Sequence, residues 1–157
     1  MTDIKSVISQ ILEQTAAEIR ANLDTQRVTA SGRSRDSIRV RETEDGHLQL
    51  IGGGEGAAPM ETLETGRKAG KVPRGFEDIL KEWMVDKGVN VEDEDKFARS
   101  LKWRIIRKGT LRHFDLTQQK DIYSTPVSMA ASAIIERGKE ALGADIKTAI
   151  SALHFSK

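Results

Sequence analysis

The sequence predicts a small α+β fold, in which an antiparallel β-hairpin packs with four main helices. Apolar residues recur every three or four positions near the start, in the centre and near the end of the chain, which is the period of amphipathic helices. Residues 37–52 instead alternate apolar and polar side chains around an Asp-Gly turn, as a hairpin does. A length of 157 residues suits one domain, so we expect a single domain over 1–157.

Composition excludes several classes of function. The chain has 25 Lys and Arg residues against 24 Asp and Glu residues, a net charge of +1, and no cysteine. The near-neutral charge argues against a dedicated nucleic-acid-binding domain, and the lack of cysteine excludes disulfides, thiol nucleophiles and Cys-ligated zinc. No apolar run approaches the roughly 20 residues of a membrane span, and charged side chains stand where a signal peptide would be apolar. We expect a soluble, cytoplasmic protein without a membrane partner.

The first predicted element is a helix over residues 3–24. Its apolar residues form one stripe, which suits packing on the domain core or, alternatively, docking on another subunit: Ile4, Ile8, Ile11, Leu12, Ile19 and Leu23. Turn-forming residues over Ser31–Ser37 then predict a short helical turn. The hairpin over about 37–52 follows, with a tight turn at Asp45-Gly46. After it, Pro59–Glu64 predicts a brief helix that Gly66 ends.

Glycines dominate the segment over residues 52–58. The letters Gly52-x-Gly54-x-x-Ala57 match a dinucleotide-binding fingerprint, but that fingerprint belongs to a parallel βαβ unit and here a hairpin precedes it. We predict instead a flexible loop that becomes ordered on assembly. Its glycines are Gly52, Gly53, Gly54 and Gly56.

Other arrangements that could support catalysis are weak. Gly70-Lys71 lacks the Ser or Thr that follows a P-loop lysine, and the three histidines stand far apart in the sequence. No serine lies in a recognisable nucleophile elbow. We therefore expect no enzyme activity, no bound metal and no cofactor.

Two central helices are predicted over about residues 75–87 and 93–108. The first contains Phe76, Ile79, Leu80, Trp83 and Met84 and ends before Gly88. The second follows an acidic run at 92–95, which favours a helix start because carboxylates stabilise the positive end of the helix dipole. This helix is apolar on two sides, since Trp103 and Ile106 lie nearly opposite the face formed by Phe97, Ala98, Leu101 and Ile105. Either both sides are buried in the domain or one of them is an interface.

The last predicted elements are a short strand and a long helix. Residues 110–116 are compatible with a third strand of the sheet. Thr125-Pro126 provides a cap and a proline at the first helical position, and a broad apolar stripe continues to the end of a helix over 126–153. Gly138 and Gly143 fall within it, where a kink is compatible with the sequence.

Opposite charges are segregated along the chain although they cancel in total. The acidic run at 92–95 stands next to a basic stretch, and together with one tryptophan they form our candidate interface: Glu92, Asp93, Glu94, Asp95, Arg99, Lys102, Trp103, Arg104, Arg107 and Lys108. A second basic patch is formed by Arg33, Arg35, Arg39 and Arg41. Adjacent blocks of opposite charge suit contacts between copies of one protein. Contact with a phosphate backbone and a plain solvated face are the alternatives.

Several segments together resemble the neck, head–tail joining and tail-completion proteins of tailed bacteriophages. Ser31–Val40 is similar to a Ser/Thr-Gly pattern that leads through Ser-Ile into a strand, and Pro59–Gly66 is similar to a segment in which an apolar residue precedes Glu-x-Gly. Phe97–Thr110 resembles a helix that ends in Ile-x-x-x-Gly-Thr, and a closing helix after Thr125-Pro126 also fits. The order of these elements agrees over roughly residues 1–150.

This resemblance implies a non-enzymatic virion protein that assembles in the host bacterial cytoplasm. It implies a homo-oligomeric ring at the neck or tail-completion position, joining the head and its connector to the tail. The expected partners are other copies of the chain, connector or portal-associated proteins and tail proteins. The alternative from the residues themselves is a small nucleic-acid-binding protein that uses the two arginine-rich clusters.

Overall fold

The computed structural model describes residues 4–28, 31–53, 60–110 and 120–154, with the side chains of 60, 145–146 and 148–154 left aside. The helices in this part are α1 (Ile4–Thr25), α2 (Arg33–Asp36), α3 (Met60–Thr65), α4 (Phe76–Lys87), α5 (Glu94–Lys108) and α6 (Ser124–His154). The strands are β1 (Arg39–Glu42) and β2 (Leu48–Ile51), which pair antiparallel. The predicted α+β class is confirmed, and so are the predicted main helices and the hairpin, to within one or two residues at their ends.

The first core lies where α1, the hairpin and the start of α6 meet. Its buried residues are Ala16, Ile19, Leu23, Ile38 and Ile122. The fully buried residues that α1 contributes to this core therefore lie in the C-terminal half of the helix. Amide side chains fix the end of α1 to the start of α6, because Asn22 donates to the Ile122 carbonyl at 3.0 Å and Gln26 to the Asp121 carbonyl at 2.8 Å.

The hairpin places two arginines on its outer face. Val40 pairs with Leu50, and Leu50 packs on the first core, so Arg39 and Arg41 point the other way and are exposed. Its loop runs over residues 43–47, where the Thr43 N–H donates to the His47 carbonyl at 2.8 Å. It contains the turn predicted over Glu44–His47, with the Asp45-Gly46 dipeptide at its centre. Gly46 accordingly takes the left-handed conformation (φ +77°) after a turn that Thr43 begins.

The second core joins α4 to α5. Leu80, Ala98 and Ile105 are buried there, with Phe76 and Leu101 packed against them. Gly88 ends α4 in the left-handed conformation at φ +64°. Asp93 caps α5, since its Oδ1 accepts a hydrogen bond from the Lys96 N–H at 2.9 Å. The acidic residues before α5 thus have the role in starting the helix that their position predicts.

Two junctions hold these parts together. The Thr110 hydroxyl accepts from the Arg67 N–H at 2.8 Å, and the Arg67 carbonyl accepts from the Thr110 N–H at 2.9 Å. The Glu64 carboxylate is buried and accepts from the Ile122 N–H at 3.3 Å and from the Ser124 hydroxyl at 2.8 Å. The segment after α3 is therefore bonded both to the end of α5 and to the start of α6.

The helix α6 runs for 31 residues, about 46 Å, without interruption at Gly138 or Gly143. Among its described side chains, those of Pro126 and Ala130 near its start are buried, whereas Ile135 and Leu142 are more than half exposed. The strand predicted over 110–116 falls, apart from Thr110, on residues outside the described part of the chain. Within the described residues, no helix combines the length and apolar character needed to cross a bilayer.

Candidate interaction surface

The ten residues of the candidate interface lie on α5 or just before it, but they do not share one face. Successive residues of a helix are turned by about 100°, and α5 presents Ala98 and Ile105 to α4. Lys102 lies on that same inner side, where its Nζ donates to Glu77 Oε1 at 2.9 Å. Lys102 is therefore an internal contact between α4 and α5, and its place in the predicted interface is corrected.

The outer face of α5 is cationic and carries one aromatic side chain. Trp103 is 54% exposed. Arg99 and Arg107 lie one turn before and one turn after it, and Lys96 lies one turn further on the same side. Of the two apolar sides predicted for α5, only the one facing α4 is buried in the described part of the chain. An exposed tryptophan among cations has the chemistry to bind an anionic or aromatic partner.

Arg104, Arg107 and Lys108 are exposed at the C-terminal end of α5, and among the described residues none of them forms an ion pair. The loop that precedes α4 packs at this same end, because the Gly70 N–H donates to the Ile106 carbonyl at 3.0 Å. This loop adds four further cations to the end: Arg67, Lys68, Lys71 and Arg74. We call these seven residues the basic end.

The opposite end of the α4–α5 pair is acidic. The two helices run antiparallel, since Lys102 meets Glu77 while Asp95 meets Lys81. The end of α4 therefore lies beside the start of α5, and the carboxylates gathered there are Glu82, Asp86, Glu92, Asp93, Glu94 and Asp95. We call these the acidic end. About 20 Å, the length of α5, separates the two ends.

Hydrogen bonds to lysine set the proton affinity of two carboxylates between α4 and α5. The hydrogen bond from Lys102 lowers the pKa of Glu77 below its usual 4.5. The hydrogen bond from Lys81 likewise lowers the pKa of Asp95 below its usual 3.8. Arg99 adds a smaller electrostatic effect on both groups. Asp95 therefore belongs to the internal packing of the helix pair as well as to the acidic end.

The structure does not bring the second basic patch together as one cationic surface. Arg33 pairs with Glu82 of α4 at 3.5 Å, and Arg35 pairs with Asp36 at 2.8 Å and with Asp24 of α1 at 3.5 Å. These two guanidinium groups are matched by carboxylates that tie α2 to its neighbours. Arg39 and Arg41 remain exposed on the outer face of the hairpin.

The glycine-rich segment is anchored where it begins. The Gly53 N–H donates to the Ser37 hydroxyl at 2.9 Å, and the Ser37 hydroxyl donates to the Ser34 carbonyl at 2.7 Å. Gly53 adopts φ +106°, which favours glycine. The flexibility predicted for Gly52 and Gly53 stays a prediction, and Gly54 and Gly56 lie outside the described residues.

The segments that suggested a phage family supply the contacts between elements. Ser37 binds Gly53, Glu64 binds the start of α6, and Gly109-Thr110 meets Arg67. Sequence reasoning assigned none of these residues to a contact. For Gly109-Thr110 the available signal was their position directly after a predicted helix, and for Ser37 and Glu64 it was their position at the end of a short predicted element. Comparison with protein-family models, curated proteins and solved structures found no match to the chain.

Proposed function

We propose that the chain is a non-enzymatic structural protein of a tailed-phage virion. It forms a homo-oligomeric ring at the neck or tail-completion position and joins the head and its connector to the tail. The observation that supports this assignment best is the outer surface of the α4–α5 pair. An exposed tryptophan and unmatched cations lie at one end of it, and carboxylates lie at the other.

Ring formation needs two different surfaces on each subunit, because every copy contacts the next one head to tail. The basic end and the acidic end provide two such surfaces. Their charges are complementary, and their separation along α5 keeps them from neutralising each other within one subunit. Complementary potentials steer approach and fix orientation, while the exposed indole of Trp103 contributes buried area at the contact.

The order of sequence segments supplies the phage assignment itself. Those segments resemble the neck family over roughly residues 1–150, and their most distinctive residues form the junctions around Glu64, Ser37 and Gly109. A subunit held together at these junctions leaves the outer face of α5 for contacts with other chains.

We expect two substitutions on the outer face to disrupt the ring without unfolding the subunit. Trp103→Ala and Arg107→Glu remove an exposed side chain and reverse an unmatched charge, so the melting temperature should change little while the oligomer measured by native mass spectrometry is lost. Lys102→Glu is the matched control, because Lys102 pairs with Glu77 inside the helix pair. It should lower the melting temperature, since it sets two carboxylates against each other.

Electron microscopy of the purified chain, alone and with connector proteins, shows whether rings form. A chain that stays monomeric and joins neither connector nor tail components contradicts the proposal. An unchanged oligomer in both Trp103→Ala and Arg107→Glu would instead show that the ring contact lies on a different face.

Nucleic-acid binding is the alternative that a specific observation favours. The loop that carries Arg67, Lys68, Lys71 and Arg74 packs at the end of α5, where Arg104, Arg107 and Lys108 lie and Trp103 is exposed. Cations with an exposed aromatic ring suit a single strand. Binding that weakens steeply with salt in a filter assay would support this alternative. No binding at low salt would exclude it.

A further inference from the structure

One side of the α4–α5 pair has a different character from the outer face. The two ion pairs between these helices, Glu77–Lys102 and Lys81–Asp95, both lie along one side of the seam. The helical positions on the opposite side of the seam belong to Ile79 and Trp83 of α4 and Phe97 of α5. These side chains are 46%, 38% and 39% exposed, respectively. We call this side the apolar flank.

Charged residues border the apolar flank at its two ends. Arg104 and Lys108 follow Phe97 along the same side of α5, at the basic end. Asp86 and Glu94 lie on the same side at the acidic end, where α4 ends and α5 begins. All four are exposed, and among the described residues none of them forms an ion pair. The flank therefore has an apolar centre, a cationic end and an anionic end.

We propose that the apolar flank binds the apolar flank of a second copy of this chain through a two-fold contact. A two-fold axis that lies in the contact plane, across the helices, sets them antiparallel. The basic end of each copy then faces the acidic end of the other, and the apolar centres meet. A surface with opposite charges at its ends is complementary to itself in this orientation, as a two-fold interface requires. The opposite orientation sets like charges together.

The same features favour a second copy over an unrelated partner. A nucleic acid would be repelled from Asp86 and Glu94, and an acidic protein would be repelled by the same end. Large apolar side chains, aromatic ones above all, are enriched at the centres of protein contacts. This contact uses Arg104, Lys108, Asp86 and Glu94 of the two ends, and it leaves Trp103 and Arg107 of the outer face for the ring contact of the proposed function. It pairs subunits two by two, whereas ring closure links each copy to the next.

The chain's two tryptophans provide a direct test, because one lies on each surface. Trp103→Phe leaves Trp83 of the flank as the only indole, and Trp83→Phe leaves Trp103 of the outer face. Fluorescence quenching by acrylamide is measured together with sedimentation as protein concentration rises. We expect Trp83 to become protected as dimers form, whether or not ring formation also protects Trp103. Protection of Trp103 without protection of Trp83 would overturn the proposal and would support the ring contact.

A charge exchange tests the antiparallel orientation. In one double variant, Arg104→Glu with Lys108→Glu, both ends of the apolar flank are anionic. In the other, Asp86→Lys with Glu94→Lys, both ends of the flank are cationic. Each variant alone should dimerise at least about tenfold more weakly than the original chain. An equimolar mixture should form a mixed dimer, and one chain with all four changes should recover self-association. Circular dichroism melts of each variant show that folding is retained.

A substitution at the centre of the flank gives a further test of the proposal. Ile79→Ser should weaken the dimer by about tenfold or more, because a hydroxyl replaces an apolar side chain at the centre of the contact. The proposal is overturned if the original chain stays monomeric at every concentration, or if the mixed variants associate no better than either alone. Salt-sensitive binding of an oligonucleotide that protects Trp83 would assign the flank to nucleic acid instead. A dimer that never forms rings would contradict the proposed function alone.

Discussion

Contacts between distant segments of the chain depend on single residues. Gly109 is one of them, because its position accepts no larger residue. Its backbone adopts φ +78° and ψ −169°, and a Cβ built there would lie 2.4 Å from the Arg67 carbonyl oxygen. Only glycine fits, because that oxygen also accepts from Thr110 and has little freedom to move. The close approach holds the basic loop before α4 against the end of α5.

We expect Gly109→Ala to destabilise the fold by about 3 kcal/mol, because the added methyl group strains the backbone and displaces the Arg67 carbonyl. Gly138→Ala is the matched control, since Gly138 lies inside α6 and a Cβ added to it would meet no atom within 4 Å. This second change should stabilise the protein by about 1 kcal/mol through helix propensity. Urea unfolding of both variants measures the difference. Equal effects would show that Gly109 is not constrained.

Glu64 is the second such residue. Glu64→Ala leaves the buried Ile122 N–H without its acceptor and removes the partner of the Ser124 hydroxyl, at an expected cost of about 2 kcal/mol. Glu64→Gln keeps one carbonyl oxygen for the N–H and can donate its amide to the hydroxyl, so it should cost less than about 1 kcal/mol. Chemical denaturation compares them. Similar losses in both would indicate that the negative charge itself is needed at the start of α6.

At the scale of elements, α4 and α5 are held by an apolar seam with ion pairs along one side. Helical periodicity predicted both helices because each is amphipathic along its own sequence. Periodicity did not show that Lys102 differs from Arg99 and Arg107. The sign of a side chain's charge does not reveal which cation of a helix lies near a carboxylate of the neighbouring helix. The division of α5 into an inner side, an outer face and a flank follows from where α4 packs.

The ion pairs predict a loss of stability in acid. The folded-state pKa values of Glu77 and Asp95 are lowered, so both carboxylates hold protons more weakly in the folded protein than in the unfolded chain. Their contribution is complete above their usual values of 4.5 and 3.8, and it is lost as the pH falls through the lowered values. Asp121 also makes the folded protein less stable in acid, because hydrogen bonds from Thr125 lower its pKa in the folded state.

Thermal melts of the original chain and of Lys102→Met across the acid range test this prediction. The variant should melt at a lower temperature near neutral pH, and its melting temperature should fall less steeply on acidification because Glu77 has lost the group that lowers its pKa. Ion pairs that are partly open to solvent contribute little to stability, so the pH dependence is the informative quantity. Parallel curves for the two proteins would contradict the assignment.

At the scale of the whole molecule, the near-zero net charge conceals a local segregation of charge. The 25 basic and 24 acidic residues cancel in total. Packing of the loop before α4 against α5 nevertheless collects cations at one end of the helix pair, and antiparallel pairing collects carboxylates at the other. The proposed ring uses these ends for the contact between successive copies. The proposed two-fold contact uses the apolar flank, which lies between the two ends of the helix pair.

The sequence by itself determined the elements, since helical and strand periodicity, capping residues and turn glycines act over a few residues. It also determined that opposite charges form separate blocks. Only the tertiary structure decided that Lys102, Arg33 and Arg35 are matched internally, that Gly53 is anchored by Ser37, and that Trp83 and Trp103 lie on different surfaces. Those outcomes depend on contacts between residues far apart in the chain, and a local pattern contains no information about which distant partner completes a contact.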